Sequence, residues 1–169
     1  AWPVLREYSM PATVFVVSDY VGRSNTWATQ PANIPHGRLM SWDQICECSS
    51  GGIEIGCHTA THPRLPALTG EKIEWEIRVS RGEIERQTAR SVNVFAYPYG
   101  AVDKVTRSCV ARHFNVACGT GLGYLNASSD PLDLSRLDSY YLRNSQWFER
   151  LDGAAGRVYV GARAGLRKA

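Results

Sequence analysis

Two histidines four residues apart, His58 and His62, stand in the stretch His58-Thr59-Ala60-Thr61-His62, closed off by Pro63. A pair of neutral imidazoles is a borderline-soft donor set suited to a divalent transition metal such as zinc. On a helix, residues i and i+4 would share one face, but Pro63-Arg64-Leu65-Pro66 cannot continue a helix. The preceding run, Gly52-Ile53-Glu54-Ile55-Gly56-Cys57, reads as a buried strand. The pair is therefore expected in a turn at the C-terminal end of a strand, where open α/β sheets build ligand sites. Two hydrogen-bonded loop histidines would meet the same spacing, so the surrounding elements must decide.

Those elements alternate as β-α-β-α-β-α-β, which predicts a mainly parallel sheet flanked by helices. Residues 1–8 read as the last turns of a helix, followed by an apolar, β-branched strand over 12–17 that is expected to be buried on both faces. Residues 18–40 form a long polar loop carrying Trp27 and His36, and loops of this length are functional or disordered. Ser41-Trp42-Asp43-Gln44 is a capping box that opens a helix running to about Ser50, stopped by Gly51-Gly52. A second helix begins near Thr69 and buries Ile73, Ile77, Ser80 and Ile84, ending about Arg90. The strand over 92–97 is broken by Pro98-Tyr99-Gly100, and a helix over 103–113 and a short strand over 115–118 follow. Gly119 to Gly123 is expected to be a turn, 134–141 a strand, 145–151 a short helix and 157–168 a terminal helix.

At 169 residues the chain is expected to be a single domain, short for a complete α/β barrel. A net charge of +3 is too mild to argue for nucleic acid, and much of the excess lies in Arg157, Arg163, Arg167 and Lys168 on one solvated helix. No apolar run approaches membrane-spanning length, and no charged-then-apolar signal segment opens the chain. Cys46, Cys48, Cys57, Cys109 and Cys118 are odd in number and irregular in spacing. They argue against a disulfide framework and favour a reducing, cytoplasmic compartment.

Three segments in this order resemble the polysaccharide deacetylases of the NodB type. They are Pro11-Ala12-Thr13-Val14-Phe15-Val16, the Gly52–His62 strand ending in H-T-x-x-H, and Phe95-Ala96-Tyr97-Pro98-Tyr99-Gly100. Met40-Ser41-Trp42-Asp43-Gln44, Asp130-Pro131-Leu132 and Leu134-Ser135-Arg136-Leu137 are similar to family members as well. The resemblance implies a distorted (β/α) barrel with one divalent metal, most often zinc, held by two histidines and an aspartate. It places the histidine ligands at His58 and His62, with Thr59 steadying their turn. Metal-activated water would attack the acetamide of an N-acetylated polysaccharide or oligosaccharide, and the backbone N–H of Tyr99 would hold the oxyanion. Trp27, Tyr97, Pro98 and Tyr99 are the aromatic and rim residues expected to bind substrate.

The sequence departs from that family in three places. Its first motif, a T-F-D-D-type strand end, has no counterpart here and is expected about one helix upstream of Val4-Leu5. The expected fold is accordingly an incomplete barrel, its first strand missing, over an N-terminally truncated domain of residues 1–169. With that motif would go the third ligand and the catalytic base. Ala96 stands where many members have an arginine, and no histidine follows His113 to act as acid. Asp19 could replace the lost ligand or cap its loop, Asp43 reads as a first-turn residue, and His113 reads as a surface residue. Two alternatives to the hydrolase remain open. One is an inactive glycan-binding module of the same fold, and the other a structural zinc site joining Cys57 to the histidines.

Overall fold

A computed structural model of the chain describes residues 1–167, so Lys168 lies outside the described residues. Five strands, β1 (Thr13–Val16), β2 (Glu54–Cys57), β3 (Val94–Ala96), β4 (Val116–Leu122) and β5 (Leu134–Arg136), form one sheet in the order β1-β2-β3-β4-β5. Every neighbouring pair is parallel. Parallel neighbours need crossover connections, and α2 (Trp42–Ser50), α3 (Gly70–Thr88) and α4 (Lys104–Ala111) supply the first three. Sequential, all-parallel strands with intervening helices make an open section of a (β/α) barrel.

Local sequence explains where these helices begin. Ser41 Oγ accepts from the Gln44 N–H at 3.3 Å, and Gln44 Oε1 accepts from the Ser41 N–H at 2.9 Å, completing the capping box of α2. Thr69 caps α3 and Asp103 caps α4 in the same manner, through the N–H groups of Lys72 and Thr106. The apolar face of α3, with Ile73, Ile77 and Ile84 fully buried, packs beside Ile45 of α2, Ile55 of β2, Phe95 of β3 and Val110 of α4. Helix α1 (Trp2–Glu7) buries none of its residues, but its Trp2 indole covers Gly51 at the end of α2, where a Cβ would lie 2.2 Å from the ring.

Three sequence expectations are corrected. Strand β1 is not buried on both faces: Thr13 is exposed and Val14 and Phe15 are half-buried, because β1 borders the sheet with β2 as its sole strand neighbour among the described residues. Residues 119–122 are strand rather than turn, and their glycines answer to the neighbouring chain. A Cβ on Gly119 would lie 2.2 Å from Asp133 Oδ1, and one on Gly121 would lie 2.9 Å from Ser135 Oγ. The strand expected to reach Tyr141 stops at Arg136, since Asp138 accepts from the Tyr140 N–H and turns 139–142 into a 3-10 helix. Helices α5 (Ser145–Glu149) and α6 (Ala154–Leu166) complete the described chain, with α6 against β4. All five cysteines are free. Among the described residues no helix is long and apolar enough to cross a membrane.

Candidate functional site

The histidine turn leaves the C-terminal end of β2, where the His58 N–H donates to the Val16 carbonyl at 2.9 Å. Two of its residues, Thr59 (φ 70°) and His62 (φ 60°), have left-handed backbones that side-chain-bearing residues seldom adopt. Such strain persists where the surroundings over-determine it, and here they do. The fully buried Thr59 accepts the His62 N–H at 3.0 Å and donates its hydroxyl to the His58 carbonyl. The N–H groups of Ser18 and Asp19 bind the carbonyls of Thr59 and Ala60. From below, the buried Glu76 of α3 accepts the N–H groups of Ala60 and Thr61, each at 2.9 Å, and the Thr61 hydroxyl.

This frame aims the two rings at one another. His58 Nδ1 lies 2.7 Å from the Ala96 carbonyl at the end of β3. A carbonyl only accepts, so Nδ1 carries the proton and Nε2 presents its lone pair. His62 Nε2 faces it at 3.2 Å, while His62 Nδ1 is buried without a partner. Burial lowers the pKa of His58; burial, followed by the nearby His58, pushes that of His62 down to about 3. Both rings are thus neutral at ordinary pH. Two imidazole nitrogens holding zinc at about 2.0–2.1 Å in a tetrahedron stand about 3.3 Å apart, so the donor type and the spacing both fit such an ion.

The pair opens into a cleft of about 290 Å³ whose other walls are apolar, including Val14, Val16, Val21, Leu39 and Met40. Among the described residues, no third histidine, cysteine or carboxylate is close enough to complete a three-residue metal cluster. Asp19 is exposed and borders a separate groove with Arg23 and Arg78. Cys57 is fully buried, its thiol pushed up to about 11 by burial, and it faces Ser80 rather than the cleft. His113 pairs with Glu74.

The chain folds the four expected substrate residues into two different places. Trp27 and Tyr99 come to the histidines: the Trp27 indole lies against the His62 ring with centroids 4.2 Å apart, and Tyr99 meets it edge-on at 4.7 Å. Tyr97 and Pro98 do not. Tyr97 is 1% exposed, its ring packs on Phe95 and its hydroxyl donates to the Leu132 carbonyl, while Pro98 is fully buried. Both side chains are buried away from the cleft that Trp27 and Tyr99 reach. The reason is the left-handed turn at Tyr99 (φ 59°), which sends consecutive residues of one segment to the core and to the cleft.

The polysaccharide deacetylase family model matches residues 1–115. The chain belongs to the polysaccharide deacetylase family. YxkH of Bacillus subtilis (strain 168), a polysaccharide deacetylase by name, is 26% identical over 106 residues, which are 63% of this chain and 33% of YxkH. The Streptococcus pyogenes deacetylase PplD superposes with a TM-score of 0.68 at 23% identity, over 80% of this chain and 56% of PplD. The polysaccharide deacetylase BC0361 of Bacillus cereus does so with a TM-score of 0.61 at 26% identity, over 75% and 37%. The chain therefore spans about a third of the curated relative and little more than half of PplD.

Within this polysaccharide deacetylase domain, two contributors escape a reading by motif. Glu76 sits on the buried stripe of α3, three residues after Ile73 and four before Ser80, and a charge at that position was the available signal. Ala96 contributes its carbonyl, which no residue type announces.

Proposed function

We propose that this chain forms the metal-binding and substrate-placing part of a centre that removes N-acetyl groups from an amino-sugar polysaccharide. The observation that supports it most is the convergence of His58 Nε2 and His62 Nε2 at 3.2 Å, with His58 anchored through Nδ1 and the turn braced by Thr59 and Glu76. A metal-ligating histidine is held by a hydrogen bond at its second nitrogen as His58 is here. Family membership supports the reaction class.

His58 and His62 would hold the ion, and neutral imidazole donors suit zinc. When bound, it supplies Lewis acidity and lowers the pKa of a coordinated water. Thr59 and Glu76 keep the turn from relaxing, so the rings do not have to be ordered at the moment of binding. The Tyr99 backbone N–H is assigned to the acetamide oxygen, donating where negative charge develops. The apolar cleft walls exclude water around the acetyl methyl. No carboxylate among the described residues stands beside the pair, so proton transfer is not assigned to this chain's described residues.

Zinc titration followed by acetate release from N-acetylglucosamine oligosaccharides tests the assignment. Zinc should bind, and binding should fall steeply in both His58→Ala and His62→Ala, with slow acetate release at best. Zinc affinity indifferent to both substitutions would overturn it. Sugar binding unaffected by chelator and by His58→Ala would instead mark a glycan-binding module.

A further inference from the structure

The segment between Val17 and α2 contains little regular structure, yet it is tied down at both ends. The Gly22 N–H donates to the Met40 carbonyl at 2.8 Å, the Leu39 N–H to the Arg23 carbonyl at 2.8 Å, and the Asn25 N–H to the Gly37 carbonyl at 3.1 Å. These bonds form a stem, and the residues between its arms reach over the histidine turn.

At that tip the contacts close into a circuit. The half-buried Trp27 lays its indole on the His62 imidazole, with ring centroids 4.2 Å apart and planes 31° from parallel. Its Nε1–H donates to the Tyr99 hydroxyl at 3.1 Å. The Tyr99 hydroxyl donates to the Thr29 carbonyl at 2.8 Å, and the Thr29 hydroxyl donates to the His62 carbonyl at 2.8 Å. The two residues gripped, His62 and Tyr99, are both left-handed, and both are the kind of strained residue that needs outside restraint. Tyr20 meets the Trp27 ring edge-on at 5.5 Å. One indole face and the side chain's polar atom, Nε1, are therefore already occupied within the protein.

We propose that Trp27 and Thr29 are positioning residues, acting through His62 and Tyr99 to hold the metal-binding imidazole and the neighbouring peptide in their strained geometry. The inference rests on the reading of His58 and His62 as a metal pair and deepens it. Trp27 fixes the plane of the His62 ring by contact, and Thr29 fixes its backbone by a hydrogen bond. Losing either lets the turn relax and spoils the aim of Nε2 towards His58.

The test uses Trp27→Ala, Trp27→Phe and Thr29→Val in the whole chain. The first readout is the Cε1–H signal of His62 in the metal-free protein, assigned by single replacement of the four histidines. The stacked indole displaces that signal, and Trp27→Ala should return it towards its position in a free peptide. The second is zinc affinity by competition with a coloured chelator. Affinity should fall about 10–100-fold in Trp27→Ala and Thr29→Val, the range for outer residues that orient a ligand. Trp27→Phe keeps a ring but no N–H and should fall between. Unchanged His62 signal and unchanged zinc affinity in Trp27→Ala would overturn the proposal, as would a loss confined to sugar binding. If the parent chain binds no zinc, the metal reading fails, and the His62 signal in Thr29→Val, which keeps the indole, still decides the clasp: a shifted signal supports it and an unchanged one overturns it. Thr29 is exposed, so Thr29→Val keeps the test sound should Trp27→Ala not fold.

Discussion

Glu76 and Thr61 are joined twice, the carboxylate taking the Thr61 N–H on one oxygen and its hydroxyl on the other. The first of those oxygens also takes the Ala60 N–H. A carboxylate that is 5% exposed on a helix face that otherwise buries isoleucines and Ser80 is a costly residue, and both of its oxygens accept from the histidine turn. Replacing it by leucine removes both acceptor oxygens and leaves those donors facing an apolar side chain. Glu76→Leu should cost about 1–3 kcal/mol for the N–H groups left unpaired, read as a lower urea midpoint, together with weaker zinc binding. A variant as stable as the parent would show that the turn holds itself.

Glu74 gives the fold an acid-sensitive tie between α3 and the end of α4. Burial alone would raise its pKa, but hydrogen bonds from Arg112, at 2.7 Å, and from His113 outweigh it and hold the carboxyl below its ordinary 4.5. A carboxyl lowered by folding stabilises the protein above pH 4.5, and that contribution is lost as pH falls through the lowered value. Glu74→Gln should therefore destabilise by about 0.5–1 kcal/mol at neutral pH. The gap from the parent should close as both are titrated into acid, measured as denaturant midpoints across pH.

Two glycines should respond to alanine with opposite signs. Gly100 has φ 66°, and a Cβ there would lie 2.1 Å from the Thr120 hydroxyl. Gly100→Ala should cost about 1–3 kcal/mol by crowding alone and disturb the adjoining Tyr99 peptide. Gly82 lies inside α3 with nothing within 4 Å of its Cβ position. There alanine should stabilise by about 1 kcal/mol through helix propensity. Equal melting behaviour of the two variants would contradict both assignments.

Tyr97→Phe and Tyr99→Phe separate the buried tyrosine from the one at the cleft. The first deletes the bond to the Leu132 carbonyl and should cost about 1 kcal/mol without touching zinc affinity. The second opens the circuit through Trp27 and Thr29 and should weaken zinc binding with little loss of stability. An exchange of these two phenotypes would reverse the roles given to the residues.

What was legible in advance was what local chemistry determines. The histidine turn after a strand, the Ser41–Gln44 box and the helix beginning at Asp103 each depend on residues within a few positions of one another. What stayed hidden depends on distant neighbours. An apolar run such as 12–17 looks the same whether it lies inside a sheet or borders one. Gly119 and Gly121 resemble turn residues until Asp133 and Ser135 are placed against them. Trp27 was visible as an aromatic residue in a polar loop, but its engagement with His62 across 35 positions of chain was not.

The strands lie side by side in the order in which they occur along the chain. A nascent chain can thus add each strand to the edge left by its predecessor, without holding a gap open for a later one. The groups that make the cleft and its braces, from Val14 through Trp27, His58, His62 and Glu76 to Tyr99, all precede Gly100. During synthesis this sheet can have its histidines in register while β4 and β5 are still inside the ribosome.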